Sequence, residues 1–288
     1  MMRVFHRRMF WLPTLFIFFA CNTLAYSVCS QHLSVIAHRG NSSENPENTL
    51  ASFQSAIDQG VDYIELDVHL CKNGVPCVIH DRSLSRTTNS ENIMYVEELS
   101  IDDIKVLDAG TWYDNSFSGE QVPTLEEVLQ LPLGKTGVMI EIKKGSNTDE
   151  KLASAVSSIV RKYARVKSGN PLIVGSLSPE ITTLLRSYLP ELPIIAIIED
   201  LDDLPRFKPS RAKIYAVQED LLSQHVYDRL SREGKVVWSF TVDEKDRMYQ
   251  LAELGVSGII TNRPKDLIEV REELTEKCYD VINVSRVK

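Results

Sequence analysis

The stretch Tyr63-Ile-Glu65-Leu-Asp67-Val68 is typical of a buried strand that carries two carboxylates on one face, because side chains two apart on a strand point the same way. Other apolar runs also stop at polar groups: Val35-Ile-Ala37 at His38-Arg39, Val78-Ile79 at His80-Asp81, and Val138-Met-Ile140 at Glu141-Ile-Lys143. Burying such groups is costly unless they are paired or coordinate a metal. The strand ends therefore indicate a functional site.

Outward from these runs, apolar strands alternate with amphipathic helices along the chain. Strands are predicted over 35–37, 63–68, 76–79, 138–142, 172–176, 194–198, 214–217, 236–242 and 258–261. Helices are predicted over 49–59, 124–131, 149–166, 179–188, 223–233, 244–254 and 264–273. Such alternation predicts a parallel sheet with helices outside. With about eight units, a closed (β/α)8 TIM barrel is favoured over an open sheet, as one domain over residues 26–288.

Residues 82–122 interrupt this alternation, because they hold no long strand and are rich in Ser, Thr, Asn and Gly. The segment is too long for an ordinary loop. We predict a small insertion that lies over the barrel opening, with a short helix near 100–107. Its aromatic residues Trp112, Tyr113 and Phe117 either line a substrate entrance or pack the insertion onto the barrel.

The first 25 residues are predicted to be a secretory signal peptide. Three arginines and no acid precede the apolar run at 9–20, and small residues ending at Ala25 offer a cleavage site. The run is too short for a comfortable transmembrane span. Two variants stay open, an uncleaved membrane anchor and lipidation of Cys21. We expect an exported protein, periplasmic or secreted, with membrane association only through an uncleaved or lipidated N-terminus.

Net charge restricts the class of ligand. Loss of the leader removes three positive charges and takes the net charge from −8 to −11. An acidic protein of this kind is not a general nucleic-acid binder, because it lacks the positive charge that binds the phosphate backbone. A site for phosphate must therefore concentrate positive charge locally, through a metal ion or through Arg and Lys side chains.

The cysteines do not form a zinc-binding pattern. A disulfide can form in an oxidising compartment, and Cys71 and Cys77 flank the hairpin turn Asn73-Gly74. If the two strands pair directly across this turn, Cys71 and Cys77 are offset by one residue and do not lie opposite each other. The interpretation as two small buried side chains is therefore favoured over a bridge.

Glu65, Asp67 and Glu141 are predicted to converge at the ends of central strands. Three converging carboxylates repel one another unless a cation lies between them, and oxygen-only ligands suit a hard ion such as Ca²⁺ or Mg²⁺. A solvated edge strand would explain Glu65 and Asp67 alone, but their neighbours Ile64 and Leu66 are apolar. The sequence therefore predicts one divalent cation held by the three carboxylates.

His38 and His80 directly follow apolar runs. A lone histidine in such a place is more often a core residue, but two beside three carboxylates favour catalysis. Imidazole titrates near neutral pH, so one ring can act as base and the other as acid. Arg39 offers a planar fork for phosphate oxygens, and Lys143 adds a second positive charge. Asp81 either orients His80 or caps the insertion.

Five motifs in this order make the chain resemble the glycerophosphodiester phosphodiesterase family over about 35–263: His38-Arg39-Gly40, Pro46-Glu47-Asn48-Thr49, Glu65-Leu-Asp67-Val68, Val78-Ile-His80-Asp81 and Glu141-Ile-Lys143. The resemblance implies a (β/α)8 barrel with a metal at its C-terminal end, which hydrolyses glycerophosphodiesters to glycerol 3-phosphate and an alcohol. Matching positions imply acid–base roles for His38 and His80, metal ligation by Glu65, Asp67 and Glu141, and phosphate contacts from Arg39 and Lys143.

Some positions match this family less closely. Glu47 either orients the first strand end, reaches the metal through water or caps the following helix. Phe240 stands where the family usually has Trp, with Trp238 two residues earlier, and the pair predicts a rebuilt substrate wall. Ser257 and Asn262 stand where the family usually has Asp, which leaves the substrate preference open.

A metal-dependent phosphodiesterase with two catalytic histidines is the predicted function. A lysophospholipase D-like enzyme acting on lysophospholipids is the alternative, and an open apolar entrance would favour it. A non-catalytic barrel binding protein is disfavoured, because no expected acid, base or metal ligand is missing. The residues do not choose between Ca²⁺ and Mg²⁺, between attack by water and attack by the substrate's own hydroxyl, or between the two histidines as base.

Overall fold

The structure is a computed structural model that describes residues 33–145, 149–166 and 169–286. The predicted leader, residues 1–25, lies outside the described residues, and so do Cys21 and Cys29. Within the described ranges, no helix combines the length and the apolar character needed to cross a membrane.

The sheet of the described chain closes into a barrel. Its strands are Ser34–Ala37 (β1), Tyr63–Leu70 (β2), Pro76–Val78 (β3), Gly137–Ile142 (β4), Leu172–Ser176 (β5), Ile194–Ile198 (β6), Ile214–Gln218 (β7), Val236–Phe240 (β8) and Gly258–Thr261 (β9). Parallel pairing runs β1-β9-β8-β7-β6-β5-β4-β2, and β2 pairs again with β1. The predicted (β/α)8 TIM barrel is therefore confirmed. β3 is antiparallel to β2 and lies outside the ring, as the hairpin turn predicts.

The α-helices of the described ranges begin close to the predicted positions. They are Leu50–Asp58 (α1), Ile101–Lys105 (α2), Leu125–Leu129 (α3), Asp149–Val166 (α4), Pro179–Tyr188 (α5), Gln224–Arg232 (α6), Lys245–Leu254 (α7) and Pro264–Arg286 (α8). Side-chain caps explain several starts. Thr49 accepts a hydrogen bond from the main-chain N–H of Ser52, and Thr124 forms a capping box with Glu127.

One connection differs from the predicted pattern. Between β6 and β7 the chain forms a 3-10 helix, Leu201–Ser210, where an α-helix would complete the unit. Pro205 and Pro209 lie inside it. Because proline has no N–H to donate and clashes with the preceding turn, an α-helix is disfavoured there. Phe207 of this segment is fully buried, so the 3-10 helix still covers the barrel.

Side chains of the strands alternate between two apolar clusters. One cluster lies between the strands and the outer helices. The other fills the barrel interior and consists of Ile36, Met139, Ile173, Ile195, Ile197, Ile214, Ala216, Trp238 and Ile260, with Tyr63, Leu177 and Phe240 packed against it. Because the side chains of a strand alternate strictly, every second residue beyond these positions also points into the barrel.

Residues 82–122 pack on the β2–β3 hairpin around a third apolar cluster, which includes Leu84, Val96 and Ile104. The short helix α2 falls within the predicted range 100–107. Cys71 and Cys77 belong to the same cluster and are free and buried. The interpretation of these two cysteines as small buried side chains is confirmed.

A close approach of backbones at Gly175 gives a stability prediction. A methyl group at this position would lie 2.2 Å from the main-chain oxygen of Ile195, which is backbone and cannot rotate away. Gly175→Ala should lower the free energy of unfolding by about 1–3 kcal/mol, because β5 and β6 must separate. Urea denaturation measures this, with Val106→Ala as an exposed control that should change little. If the Gly175→Ala variant has the same free energy of unfolding as the wild type, this packing is contradicted.

Candidate active site

Charged side chains occupy the barrel interior at the carboxyl ends of the strands, here called the barrel mouth. Tyr63 and Met139 point into the barrel below this level. Two and four residues further along their strands, Glu65, Asp67 and Glu141 therefore point inward as well. In the β2–β4 register, Asp67 lies opposite Glu141. The predicted carboxylates thus meet at the end of the barrel where TIM-barrel sites are built.

The three carboxylates form a compact buried set. Glu65, Asp67 and Glu141 each place one oxygen within 4.8 Å of the others. Burial raises the pKa of Glu65 well above its usual range, and the charges of Asp67 and Glu141 add to this. Burial also raises the pKa of Glu141. Oε1 of Glu65 is buried without a hydrogen-bond partner in the described chain, so this oxygen set fits a hard divalent cation.

Two positive side chains hold Asp67 in its ionised form. Its Oδ1 lies 3.2 Å from Nζ of Lys143, and its Oδ2 lies 3.3 Å from Nε of Arg39. Asn48 donates a hydrogen bond to the same Oδ2 at 2.9 Å. Burial opposes ionisation, but Lys143 and Arg39 outweigh it and keep the pKa of Asp67 well below its usual range. Lys143 also donates to Glu141 at 2.6 Å, so the positively charged side chains of Lys143 and Arg39 both border the carboxylates.

His38 follows β1 at the barrel mouth. Its Nδ1 lies 2.7 Å from Oδ1 of Asn262, which directly follows β9. Burial and then the positive charge of Arg39 lower the pKa of His38 to about 4. The ring is therefore neutral near pH 7 in the metal-free protein.

His80 has a different partner. Its Nδ1 lies 2.6 Å from Oδ1 of Asp81, and Arg86 donates to the other oxygen of Asp81 at 2.6 Å. The hydrogen bond from Arg86 is the main cause that lowers the pKa of Asp81 to about 2. A carboxylate thus faces His80, whereas a neutral amide faces His38. Asp81 contacts His80 directly, which fits the orienting role among the two predicted for it.

Arg86 connects the loop after β1 with the segment after β3. It donates to both carboxylate oxygens of Glu47 at 2.8 Å each and to both oxygens of Asp81. Glu47 in turn accepts a hydrogen bond from Nη1 of Arg39 at 2.8 Å. Among the roles predicted for Glu47, this contact supports orientation of the first strand end.

Several polar residues of the site were given no catalytic or ligand-binding role from the sequence: Asn48, His69, Arg86, Asp243 and Asn262, the last noted only for substrate preference. His69 places Nε2 at 2.9 Å from the main-chain oxygen of His80, and the alternation after Glu65 could have identified it. Arg86 and Asp243 carry no such signal, because their partners are fixed only by the closed barrel and the insertion.

The predicted substrate wall lies in the barrel interior. Trp238 is 4% exposed and packs against Tyr63, with ring centroids 5.6 Å apart. Phe240 is nearer the barrel mouth along β8 and partly buried. Both rings belong to the interior face, as their spacing predicts. Their contact with a substrate stays a prediction.

The aromatic residues of the insertion lie beside the first loop. Tyr113 packs edge to face against Trp112 and Phe117, with centroids 5.8 and 5.7 Å apart. Its hydroxyl donates to the main-chain oxygen of Ser43 at 2.7 Å. Trp112 is still 38% exposed and Tyr113 37%. The group therefore packs the insertion onto the loop after β1 and also leaves aromatic surface open to solvent.

Known proteins resemble the chain over most of its length. Residues 38–266 match the sequence model of the glycerophosphoryl diester phosphodiesterase family. A glycerophosphodiester phosphodiesterase from Caldanaerobacter subterraneus is 34% identical over 243 residues, which cover 82% of this chain and 96% of the relative. A glycerophosphodiester phosphodiesterase from Bacillus subtilis is 30% identical over 245 residues, covering 80% of this chain and 83% of the relative.

Solved structures share the fold. An Oleispira antarctica phosphodiesterase in complex with the product sn-glycerol-3-phosphate superposes with a TM-score of 0.78 at 25% identity, covering 86% of this chain and 99% of that one. A glycerophosphodiester phosphodiesterase from Agrobacterium tumefaciens gives a TM-score of 0.69 at 30% identity, covering 82% and 98%.

The lowered pKa of His38 predicts a pH-dependent stability. Between its ordinary value of 6.5 and about 4, the unfolded chain binds a proton at His38 that the native protein does not. In EDTA, the free energy of unfolding should therefore fall as the pH is lowered through this window. His38→Gln should reduce this slope in urea denaturation at a series of pH values. An unchanged slope in His38→Gln would contradict a neutral His38.

Proposed function

Because the chain belongs to the glycerophosphoryl diester phosphodiesterase family, we propose that it hydrolyses glycerophosphodiesters to glycerol 3-phosphate and an alcohol, with one divalent cation at the barrel mouth. The observation that carries the proposal is the buried set of three carboxylates beside two positively charged side chains and two histidines. All of them lie within the matched residues 38–266. The curated and structural relatives described above are phosphodiesterases, so the chain is assigned to an enzyme class.

Glu65, Asp67 and Glu141 would hold the cation. Their donor set is oxygen only and includes the unpartnered buried Oε1 of Glu65, which fits Ca²⁺ or Mg²⁺. When bound, such an ion neutralises phosphate charge and polarises the phosphoryl group. Lys143 contacts Asp67 and Glu141. Arg39 contacts Asp67 through its guanidinium and Glu65 through its main-chain N–H.

Arg39 and Lys143 would contact the phosphate. Both are bordered by carboxylates and lie at the edge of the carboxylate set, with side chains 17% and 13% exposed. Their positive charges stabilise the negative charge that develops on the phosphoryl oxygens. Arg39 is also held by Glu47, so its guanidinium is oriented before any substrate arrives.

His38 and His80 would move the protons. Since His38 is neutral at physiological pH, we assign it the base that deprotonates the attacking oxygen. Because Nδ1 of His80 lies 2.6 Å from Oδ1 of Asp81, which orients the ring, we assign His80 the acid that protonates the leaving alkoxide. The attacking oxygen belongs to water or to the substrate's own glycerol hydroxyl, and both routes need one base and one acid.

Export is proposed together with this function. The predicted leader motivates it, and a second observation supports it: Cys278 is disulfide-bonded, and disulfides persist mainly in oxidising compartments. We propose a periplasmic or secreted enzyme. Expression of the full chain in a bacterial host, followed by fractionation and N-terminal sequencing, would show a new terminus near residue 26. An intact cytoplasmic chain would contradict export.

Lysophospholipids are a second candidate substrate class. The observation that favours them is the exposed aromatic surface of Trp112 and Tyr113, beside the loop after β1. Rates on lysophosphatidylcholine and glycerophosphocholine separate the two classes. Trp112→Ala should reduce only the rate on the lysophospholipid if these rings bind an acyl chain.

Removal of the metal should abolish activity reversibly. We expect hydrolysis of glycerophosphocholine to stop in EDTA and to return with Ca²⁺ or Mg²⁺, because the ion offsets charge at the phosphoryl group. Glu141→Gln should lose both the activity and the rise in melting temperature that the ion gives to the wild type. Glu44→Gln, an exposed carboxylate on the loop after β1, serves as the control. If the folded protein keeps its full activity in EDTA, the metal-dependent mechanism is contradicted.

The acid and base assignments predict different leaving-group effects. His80→Ala should slow hydrolysis of glycerophosphocholine by about 10²–10⁴-fold. It should slow a glycerophosphodiester of p-nitrophenol far less, because this leaving group departs without a proton. His38→Ala should slow both substrates. The reverse pattern would exchange the two roles, and equal losses on both substrates in His80→Ala would exclude it as the acid.

A further inference from the structure

We propose that Asp243 and Asn262 are positioning residues that fix His38 as its Nδ1–H tautomer, so that Nε2 is the ring atom free to accept a proton. The inference rests on the proposed function for its catalytic meaning. The tautomer itself can be measured in a protein with no activity.

A line of close polar contacts joins the three side chains. Oδ1 of Asn262 lies 2.7 Å from Nδ1 of His38 and 2.9 Å from the hydroxyl of Ser42. On its other side, Nδ2 of Asn262 donates to Oδ2 of Asp243 at 2.7 Å. The amide therefore lies between an imidazole and a carboxylate.

Asp243 sets the orientation of this amide. An ionised carboxylate only accepts hydrogen bonds. Its Oδ1 is already occupied by the main-chain N–H of Asn262 at 2.8 Å and the hydroxyl of Thr261 at 3.0 Å. A reversed amide would place an oxygen against Oδ2 at the same 2.7 Å, with repulsion in place of a hydrogen bond. The NH₂ group of Asn262 must therefore face Asp243.

The amide orientation determines the proton position on His38. With its NH₂ turned to Asp243, Asn262 presents an acceptor oxygen to Nδ1. A neutral imidazole has one donor and one acceptor nitrogen, so Nδ1 must carry the hydrogen and Nε2 the lone pair. Ser42 tolerates this arrangement, because its hydroxyl contacts both Oδ1 of Asn262 and the main-chain oxygen of His38 at 2.8 Å.

The charge of the partner distinguishes the two histidines. His80 also directs Nδ1 at an oxygen, but that oxygen belongs to the carboxylate of Asp81. A carboxylate stabilises an imidazolium more than an amide oxygen does. Asn262 thus orients His38 without holding it protonated, which suits a base, while the carboxylate facing His80 suits an acid. The charged groups around His38 are Arg39, Asp67 and Glu47, and Asp243 reaches it only through Asn262.

An isosteric substitution at Asp243 should reverse the direction of the hydrogen bonds that run through Asn262 to His38. In Asp243→Asn, the new side-chain oxygen keeps the main-chain N–H and the Thr261 hydroxyl, and its NH₂ group replaces Oδ2. Two NH₂ groups would then face each other, so the amide of Asn262 must rotate and present its NH₂ to His38. His38 should change to the Nε2–H tautomer, and kcat should fall by about 10²–10⁴-fold with little change in KM.

Exchange of the acid and the amide should restore the tautomer. In the double variant Asp243→Asn with Asn262→Asp, the amide at 243 donates to the carboxylate at 262, which again accepts from Nδ1–H of His38. Turnover should recover in part, and the acidic limb of its pH profile should move to higher pH because the carboxylate stabilises the imidazolium. Asp246→Asn, an exposed acid on α7, is the matched control and should leave tautomer and turnover unchanged.

Long-range ¹H–¹⁵N correlation spectra of ¹⁵N-histidine-labelled protein at neutral pH give the tautomer directly, with His38→Gln to assign the signal. The expected result is Nδ1–H in the wild type and the double variant, and Nε2–H in Asp243→Asn. Nε2–H in the wild type, or an unchanged tautomer in folded Asp243→Asn, would overturn the inference. If Asp243→Asn fails to fold, the wild type and the double variant decide. Absence of any phosphodiesterase activity would contradict the proposed function and leave the tautomer result standing.

Discussion

Repulsion among three buried carboxylates is the constraint around which the barrel mouth is arranged. Their oxygens lie within 4.8 Å of one another, in an interior where water cannot screen them. Lys143 and Arg39 offset part of the negative charge and keep the pKa of Asp67 low, while burial raises the pKa values of Glu65 and Glu141. A divalent cation would favour the ionised carboxylates, so metal binding at this site would depend on pH.

The closed sheet holds these crowded side chains in fixed positions. Each strand directs alternate residues inward, and the interior changes from aliphatic and aromatic groups to charged groups along the strands. The lower layer is rigid packing that includes Trp238 on Tyr63. The charged side chains therefore lie directly above a packed apolar layer. Because they are on the same strands, two residues further along, the strands position them without any loop.

The parts that follow local rules could be predicted from sequence. Strand alternation identified Glu65 and Asp67, and capping residues such as Thr124 identified helix starts. The 3-10 helix Leu201–Ser210 was missed because its two prolines act against an otherwise expected helix. The contacts of Arg86 and Asp243 were missed for another reason: their partners lie on other elements, and only the closed barrel brings these together.

Arg86 has a consequence for how this protein can change. It belongs to the insertion, yet it is bound to Glu47 and Asp81, which contact Arg39 and His80. A change in the insertion that removed this guanidinium would disturb the contacts of Arg39 and His80 together. Through this one side chain, a change in the insertion reaches the charged groups at the barrel mouth.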